Sequence, residues 1–251
     1  MLNYLEKTDF CCIFVFNIKN INMEQLNQLI LGSILGDGYL DKIINNGNSR
    51  MTFGHSESQL EYLKYKMSIF NKYDLFNNSF YKNKSISERY KNGYCISYHT
   101  KTKKDPLFNT YRNEFYPFGK KILTNKIYEL NNFRLAIWFM DDGSNTTSSY
   151  QLNSNGFSRN ECNILRDMLF KNFNIETSLW KTHNIIYIKS KSAELFKNLI
   201  SEFIIDSMTY KLKTKYKHKR VLNKSDKLLE NPGEDNQQPI QNLNGSGGFN
   251  D

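Results

Sequence analysis

The sequence predicts an α+β fold made of two copies of an αββαββα unit related by a pseudo-twofold axis. Two similar segments carry this prediction, ILGSILGDG at residues 30–38 and LAIWFMDDG at residues 135–143. Each is an apolar run with helical spacing that ends in an acidic residue followed by glycine. The two acids, Asp37 and Asp142, lie 105 residues apart (142 − 37), so each belongs to one half of the chain.

The segments that follow the first acidic run alternate in periodicity between strands and helices. Residues 51–56 alternate apolar and polar side chains, which is typical of a half-buried strand. Residues 59–70 carry apolar side chains at helical spacing, and Ser58 is a suitable N-cap. Two more strands and a helix follow, over residues 79–86, 94–100 and around 107–108, with Asn92-Gly93 as the turn between the strands.

The second half repeats this order, which indicates an internal duplication. A predicted strand at residues 150–154 leads to a helix that begins at Ser158, and Glu161 completes a capping box. Two strands and a helix follow, over residues 176–181, 185–189 and around 195–196. We expect the strands of each half to form one antiparallel sheet with one buried face and one free face.

The predicted organisation has four parts. They are an N-terminal extension (residues 1–22), a first half (residues 23–127), a second half (residues 128–222) and a polar tail (residues 223–251). The tail is rich in Asn, Gln, Gly and Ser and carries few large apolar residues, so we expect it to be disordered.

The composition favours a polyanionic partner. The chain carries 34 Lys and Arg against 25 Asp and Glu, a formal net charge of +9. No apolar run reaches the roughly 20 residues of a membrane helix, so we expect no membrane association. The four cysteines form no CxxC pair and the four histidines are scattered, which argues against a zinc site or a disulfide framework. The abundance of Asn, Ile, Lys, Tyr and Phe suggests an AT-rich genome and therefore a mitochondrion or other organelle.

The two acidic segments are predicted to pack against each other. Small residues (Gly32, Ser33 and Gly36) occupy the first segment, and a glycine inside a helix costs roughly 1 kcal/mol relative to alanine. Retaining two glycines in one helix is explained if another helix backbone approaches closely. The glycine after each acid is a helix C-cap signal, so we expect each carboxylate at a helix C-terminus.

Two carboxylates and two negative helix ends at one place require a cation, and hard oxygen ligands favour Mg²⁺, with Mn²⁺ as a substitute. Such ions would activate a water for attack on a phosphodiester and stabilise the leaving oxygen. Lys121 and Lys211, one per half, would add positive charge near the scissile phosphate. The predicted ligands are the carboxylates of Asp37 and Asp142 and the carbonyl oxygens of Gly36 and Asp141.

These segments resemble the motifs of the double-motif LAGLIDADG homing endonucleases. FGHSESQLEYL at residues 53–63 is similar to the strand-to-helix passage that follows the motif in that family. The second half is most similar to a yeast mitochondrial intron-encoded member, through residues 135–143, Leu152-Asn153 and residues 208–212. The resemblance covers roughly residues 24 to 215.

The resemblance implies a monomeric enzyme whose two sheets form a saddle over double-stranded DNA, with the two motif helices at the interface between the halves. Such enzymes read a long asymmetric target and cut both strands across the minor groove, which promotes the mobility of a host intron. The penultimate acids of the family map to Asp37 and Asp142, and its basic partners map to Lys121 and Lys211.

The free sheet faces are predicted to read the DNA, because polar side chains there can address base edges in a groove. Each candidate can instead contact a phosphate or only solvent. A basic segment at residues 211–220, with six formal positive charges, is a further candidate for phosphate contacts. The candidates are Arg50, Lys82, Lys84, Arg89, Tyr98, Lys181, Lys189, Lys213 and Lys215.

Two other functions remain open at this point. An RNA maturase of the same fold would bind its host intron RNA and assist splicing with little or no DNA cleavage. A basic protein at a membrane surface would leave the paired acidic helices without a role. Other homing nuclease classes fit poorly, since the chain has no GIY and YIG pair and no His-Asn-His clustering.

Overall fold

The predicted duplication is confirmed by the computed structural model, which describes residues 23–214. The order helix, two strands, helix, two strands, helix occurs twice. The helices are α1 (residues 23–35), α2 (Leu60–Asn71), α3 (Pro106–Phe115), α4 (Asn132–Asp142), α5 (Arg159–Phe173) and α6 (Ala193–Ile200). The predicted N-terminal extension, the polar tail and Lys215 lie outside the described residues.

Each half contributes one four-stranded sheet in which every neighbouring pair is antiparallel. The order is β1-β2-β4-β3 in the first sheet and β5-β6-β8-β7 in the second. The strands are β1 (Tyr39–Leu40), β2 (Met51–Ser56), β3 (Phe76–Ile86), β4 (Tyr94–Thr102), β5 (Gly143–Asn145), β6 (Tyr150–Asn153), β7 (Thr177–Leu179) and β8 (Ile185–Ile188).

One face of each sheet packs on helices, and alternation along the central strands β2 and β6 produces that face. Met51, Phe53 and His55 of β2 are buried, while the residues between them are partly exposed. In β6, Tyr150 and Leu152 are buried in the same way. The opposite sheet faces remain open, as antiparallel sheets allow.

Helix capping matches the prediction in one half and departs from it in the other. Ser158 and Glu161 form the predicted capping box at the start of α5. The prediction of Ser58 as the N-cap of α2 was wrong. A 3₁₀ turn, Glu57–Gln59, precedes that helix and contains Ser58, and the N-cap is Gln59, which makes no side-chain capping bond.

Helices α1 and α4 cross in direct contact, as the small residues predicted. A Cβ placed on Gly32 would lie 2.8 Å from Cβ of Ile137, and a Cβ on Gly36 would lie 2.4 Å from Cβ of Asp141. Ser33 and Ala136 are fully buried. The glycines are therefore required by close approach of the second helix.

The glycines after the two acids are explained by contact and not by a left-handed backbone. Gly143 caps α4 with φ of −85°, and a Cβ there would lie 2.5 Å from the carbonyl oxygen of Phe139. A Cβ on Gly38 would lie 2.8 Å from the carbonyl oxygen of Ser33. Within residues 23–214, no helix is both long enough and apolar enough to cross a membrane.

Candidate functional site

The two motif acids lie where α1 and α4 end side by side. Asp142 is the last residue of α4, as predicted, whereas α1 ends at residue 35 and Asp37 lies in the turn that follows it. Burial and the neighbouring charges of Asp37 and Asp141 raise the pKa of Asp142 to about 7. Burial, followed by the charge of Asp141, also raises the pKa of Asp37. Three carboxylates therefore share one small region at the end of the paired helices.

The two lysines lie against the carboxyl ends of the motif helices, one lysine to each helix. Lys121 Nζ donates to the carbonyl oxygens of Ile34 at 3.0 Å and Gly36 at 3.4 Å. Burial lowers the pKa of Lys121, and the neighbouring aspartates oppose that shift. Its ammonium group also lies 5.0 Å from the ring centroid of Phe157.

Lys211 makes the equivalent contacts in the second half. Its Nζ donates to the carbonyl oxygens of Met140 at 2.5 Å and Asp141 at 3.2 Å. The residue is only 7% exposed, and burial lowers the pKa of its ammonium group. Positive charge at a helix C-terminus complements the helix dipole, so both lysines are placed where the backbone favours them.

A buried ion pair lies beside this site. Lys66 Nζ is 2.5 Å from Asp141 Oδ1, and both side chains are fully buried. The second carboxylate oxygen of Asp141 accepts the backbone amide of Asp37 at 3.2 Å. The side chain of Asp141 is therefore held by two partners, and only its backbone carbonyl faces Lys211.

His55 completes this cluster from β2. Its Nδ1 is 3.8 Å from Asp37 Oδ2 and its Nε2 is 3.9 Å from Asp141 Oδ1. Burial and the charge of Lys66 lower the pKa of His55 to about 4, so the ring is neutral at pH 7. Nδ1 also contacts the side chain of Gln59 at 3.2 Å.

The oxygen donors near Asp37 and Asp142 suit a hard divalent cation. The ligand atoms of Asp37, His55 and Asp141 lie within 4.8 Å of one another, but Lys66 already neutralises Asp141. Asp37 is exposed and Asp142 is partly exposed, whereas the carbonyl oxygen of Gly36 accepts from Lys121 Nζ at 3.4 Å. Gly36 and Asp142 line one cleft together with Lys121, Asn153 and Phe157.

The free face of the first sheet differs from the prediction at three positions. In β3 and β4, Lys82 is paired with Tyr98 and Lys84 with Ile96, while His55 of β2 is paired with Tyr98. Directly paired residues share a face, so these side chains belong to the face that carries buried His55. The prediction that Lys82, Lys84 and Tyr98 lie on the free face was therefore wrong.

The free face of the first sheet instead carries the alternate residues of the same strands. They follow from the pairs Thr52–Lys101, Gly54–His99, Tyr81–His99 and Asn83–Ser97. The corresponding face of the second sheet carries Gln151, Tyr187 and Ser178, which are paired across three strands. Both faces are predominantly polar.

The remaining DNA-contact candidates have varied surroundings. Arg50 Nε is paired with Asp41 at 2.8 Å, and Lys189 is paired with Glu176 at 3.1 Å. Arg89, Lys181 and Lys213 are exposed. Each of these residues stays a prediction.

Sequence reasoning missed Lys66 and His55, although each left a signal. Lys66 follows Leu63 by three residues and precedes Phe70 by four, which places it inside the apolar stripe of α2. His55 continues the buried alternation of Met51 and Phe53. A charged or polar residue in a buried position requires a partner, and Asp141 supplies it.

Comparison with known proteins shows similarity to one family of proteins. Residues 27–196 match the model of the LAGLIDADG DNA endonuclease family. The chain is similar to cytochrome b mRNA maturase bI2 of Debaryomyces hansenii, with 30% identity covering 80% of this chain and 79% of the relative. It is also similar to probable intron-encoded endonuclease 1 of Wickerhamomyces canadensis, with 29% identity covering 74% of this chain and 82% of that relative.

A solved structure has the same architecture. The homing endonuclease I-WcaI bound to its DNA recognition sequence superposes with a TM-score of 0.64 and 29% identity. The match covers 74% of this chain and 85% of that protein.

Proposed function

Because this chain belongs to the LAGLIDADG DNA endonuclease family, we propose that it is a site-specific endonuclease that cuts both strands of a long asymmetric DNA target. The reaction is hydrolysis of one phosphodiester in each strand, dependent on Mg²⁺, with Mn²⁺ as a substitute. The cut lies across the minor groove and promotes the mobility of a host intron, in a mitochondrion or another organelle. The protein acts as a monomer, because one chain supplies both carboxylates.

One observation carries the proposal: two acidic helix ends meet at one place, each with a lysine on its carbonyl oxygens. Burial, followed by repulsion from Asp37 and Asp141, raises the pKa of Asp142 to about 7. A cluster of this kind is stabilised by a bound divalent cation. The charges of Lys121 and Lys211 oppose this shift only in part, so the pKa of Asp142 stays raised.

The protein groups divide the work of hydrolysis between them. The carboxylates of Asp37 and Asp142, with the carbonyl oxygens of Gly36 and Asp141, would hold the cations. When bound, Mg²⁺ activates a water and neutralises charge on the leaving oxygen. Lys121 and Lys211 hold positive charge close to the scissile phosphates, where charge develops in the transition state. The carbonyl oxygen of Asp141, 3.2 Å from Lys211 Nζ, orients that lysine.

The open sheet faces supply the DNA-binding surface. The formal charge of +9 favours the phosphate backbone, and polar side chains on the two faces can address base edges. The similarity to I-WcaI, which is bound to its DNA recognition sequence, supports this placement. Phosphate contacts would then fix the position of the DNA backbone on the protein. The predicted residues for these contacts are Arg50, Arg89, Lys181, Lys189 and, in the basic segment, Lys213.

The proposal is tested by incubating the purified chain with a randomised duplex library and Mg²⁺. We expect double-strand cuts at one long motif, lost on addition of EDTA and lost in Asp142→Asn. Asp167→Asn is a matched control, because Asp167 is an exposed aspartate of α5 that is paired only with surface groups. Binding of a motif without cleavage by the unaltered chain would contradict the nuclease assignment.

An RNA maturase is the second candidate, and the relative from Debaryomyces hansenii favours it by its name. In this function the basic surface clamps a structured intron RNA. The test compares splicing of the host intron with and without the protein at several salt concentrations. No stimulation at any concentration would remove this candidate, and stimulation retained in Asp142→Asn would separate it from cleavage.

A further inference from the structure

We propose that Asp141 is a positioning residue for Asp37, and that the buried Lys66–Asp141 pair makes the two cleavage sites unequal. This inference rests on the proposed function, because it concerns how the two strands are cut. The residues concerned are buried next to the carboxylates and do not lie on the open sheet faces.

The two motif helices end differently, although their sequences are aligned. At the end of α4, the Gly143 amide donates to the carbonyl oxygen of Phe139, four residues earlier. At the end of α1, the Gly38 amide donates to the carbonyl oxygen of Ser33, five residues earlier, at 2.7 Å. The α1 pattern encloses one more residue than the regular helical hydrogen bond, and Asp37 lies outside the regular helix.

The side chain of Asp141 stabilises that altered turn. Its Oδ2 accepts the Asp37 amide at 3.2 Å, in place of a backbone carbonyl. Its Oδ1 is 2.5 Å from Lys66 Nζ, so the carboxylate is held on both sides. Both Asp141 and Lys66 side chains are fully buried, which makes the pair insensitive to solvent screening.

Within residues 23–214, the other half has no equivalent pair. Asp141 precedes its motif acid by one residue, and the residue in the same place in the first half is Gly36. The strand pairs Tyr39–Thr52 and Ser144–Gln151 correspond between the halves. The same alignment makes Leu165, which is buried, the counterpart of Lys66. The position that corresponds to Asp141 is therefore Gly36 in the first half, and the position that corresponds to Lys66 is Leu165 in the second half.

The helix crossing has room for only one such side chain. A Cβ on Gly36 would lie 2.4 Å from Cβ of Asp141 and 2.6 Å from its Oδ2. A symmetric arrangement with an aspartate on both helices is excluded by this contact. The asymmetry is therefore built into the packing, and Asp37 receives a support from the opposite half that Asp142 does not receive.

Two double variants test the proposal without leaving an unpaired buried charge. Lys66→Leu with Asp141→Ala removes both charges and the acceptor for the Asp37 amide. Lys66→Leu with Asp141→Asn removes both charges but keeps an oxygen that can accept that amide. Leucine is the residue that the other half has at the Lys66 position, so its volume is compatible with the fold. Lys64→Met, on the exposed side of the same helix, is the control for loss of a lysine.

The first measurement is strand-resolved cleavage of the target. Asp37→Asn and Asp142→Asn first identify which strand depends more on each carboxylate. In the alanine double variant, we expect about tenfold slower cleavage of the strand that depends more on Asp37, because the hydrogen bond to the Asp37 amide is lost. A tenfold change corresponds to about 1.4 kcal/mol. Cleavage of the other strand should stay within about twofold. The asparagine double variant should restore most of that rate. Equal slowing of both strands, no slowing, or no difference between the strands in the Asp→Asn variants would overturn the proposal.

The second measurement does not depend on cleavage. Amide hydrogen exchange of the metal-free protein should be about tenfold faster at Asp37 in the alanine double variant, unchanged at Gly143, and restored by asparagine. If the unaltered chain does not cut DNA, the proposed function fails, yet this exchange pattern still supports the positioning role. Unchanged exchange at Asp37 would remove that role even in a protein that cuts DNA.

Discussion

Lys121 Nζ donates to the carbonyl oxygen of Ile34 across 3.0 Å, so this lysine is bound to the end of the helix that leads to Asp37. Lys211 Nζ is bound in the same way to the carbonyl oxygen of Met140. The two residues thus satisfy backbone groups and bring positive charge to the carboxylates at the same time. A structural role and a catalytic role of these lysines are separable by experiment.

Lys121→Met should slow cleavage about 100-fold with DNA affinity within about threefold, since one electrostatic contact to the reacting phosphate is lost. The measurements are single-turnover cleavage and a binding titration in Ca²⁺. Lys120→Met is the matched control, because Lys120 is the exposed neighbour in the chain. Equal effects of the two substitutions would show that only the total charge matters.

Asp142→Asn should stabilise the metal-free protein while it abolishes cleavage. Burial and the charges of Asp37 and Asp141 raise the pKa of Asp142 to about 7, so its ionised form is disfavoured in the folded state. An acid with a raised folded pKa lowers the stability progressively as the pH rises from about 4 to about 7. After allowance for solvent screening, we expect a gain of about 1–2 kcal/mol at pH 8.

The measurement is thermal or urea unfolding in EDTA at pH 4 and pH 8. The gain from Asp142→Asn should be present at pH 8 and nearly absent at pH 4, where the carboxyl is protonated in the folded state and about half protonated in the unfolded state. Addition of Mg²⁺ should narrow the difference at pH 8, because only the aspartate form binds the cation tightly. A destabilised Asp142→Asn protein at pH 8 in EDTA would contradict the assigned charge cluster.

His55 should make the folding stability depend on pH in the opposite direction from Asp142. Burial and the charge of Lys66 lower the pKa of His55 to about 4, against about 6.5 in the unfolded chain. The unfolded chain takes up the proton first, so stability is lost as the pH falls from about 6.5 to about 4, by about 3 kcal/mol for this group. His55→Gln should remove this loss, and the two proteins should differ little in slope above pH 7.

An NMR titration of the His55 ring protons checks the same point directly. His183 lies in an exposed turn between β7 and β8, and its signal is a reference within the same spectrum. A midpoint for His55 near that of an exposed histidine would contradict the buried, neutral ring.

The sequence was sufficient to predict the duplication, because each half repeats the same change of periodicity in the same order. It also predicted the contact between the motif helices, since Gly32 and Gly36 are costly in a helix unless a neighbour requires them. The strand faces were less predictable. Residues 81–86 of β3 are exposed on both faces, so the sequence pattern there does not distinguish the faces of Lys82 and Lys84.

The ion pair of Lys66 and Asp141 was beyond a sequence argument of this kind. Its partners are 75 residues apart, and nothing in the local pattern of either helix specifies the other. Buried charge in an apolar stripe indicates only that some partner exists. The partner follows from the crossing of α1, α2 and α4 and had to come from the structure.

Gly32→Ala should destabilise the fold through the same helix crossing. The added Cβ would lie 2.8 Å from Cβ of Ile137 and 2.9 Å from the carbonyl oxygen of Arg134, and backbone cannot move aside as a flexible side chain can. We expect a loss of about 2–3 kcal/mol in urea unfolding. Gly156→Ala is the control, because its added Cβ would meet only the flexible end of Lys121, with Cε at 3.8 Å and Nζ at 3.9 Å. An unfolding midpoint for Gly32→Ala equal to that of the control would contradict the close packing of α1 on α4.

Substitutions of two adjacent residues of β3 should show which face of the first sheet reads the DNA. Asn83 is paired with Ser97 on the free face, whereas Lys84 is paired with Ile96 on the opposite face and lies over the ring of Tyr94 at 4.3 Å. Asn83→Ala should change base preference at one or two target positions, by about 1 kcal/mol each, in a selection from a randomised library. Lys84→Ala removes a positive charge and should lower affinity evenly across all sequences, with a smaller salt dependence of binding. A change of base preference in Lys84→Ala and none in Asn83→Ala would mean that the opposite sheet face reads the DNA.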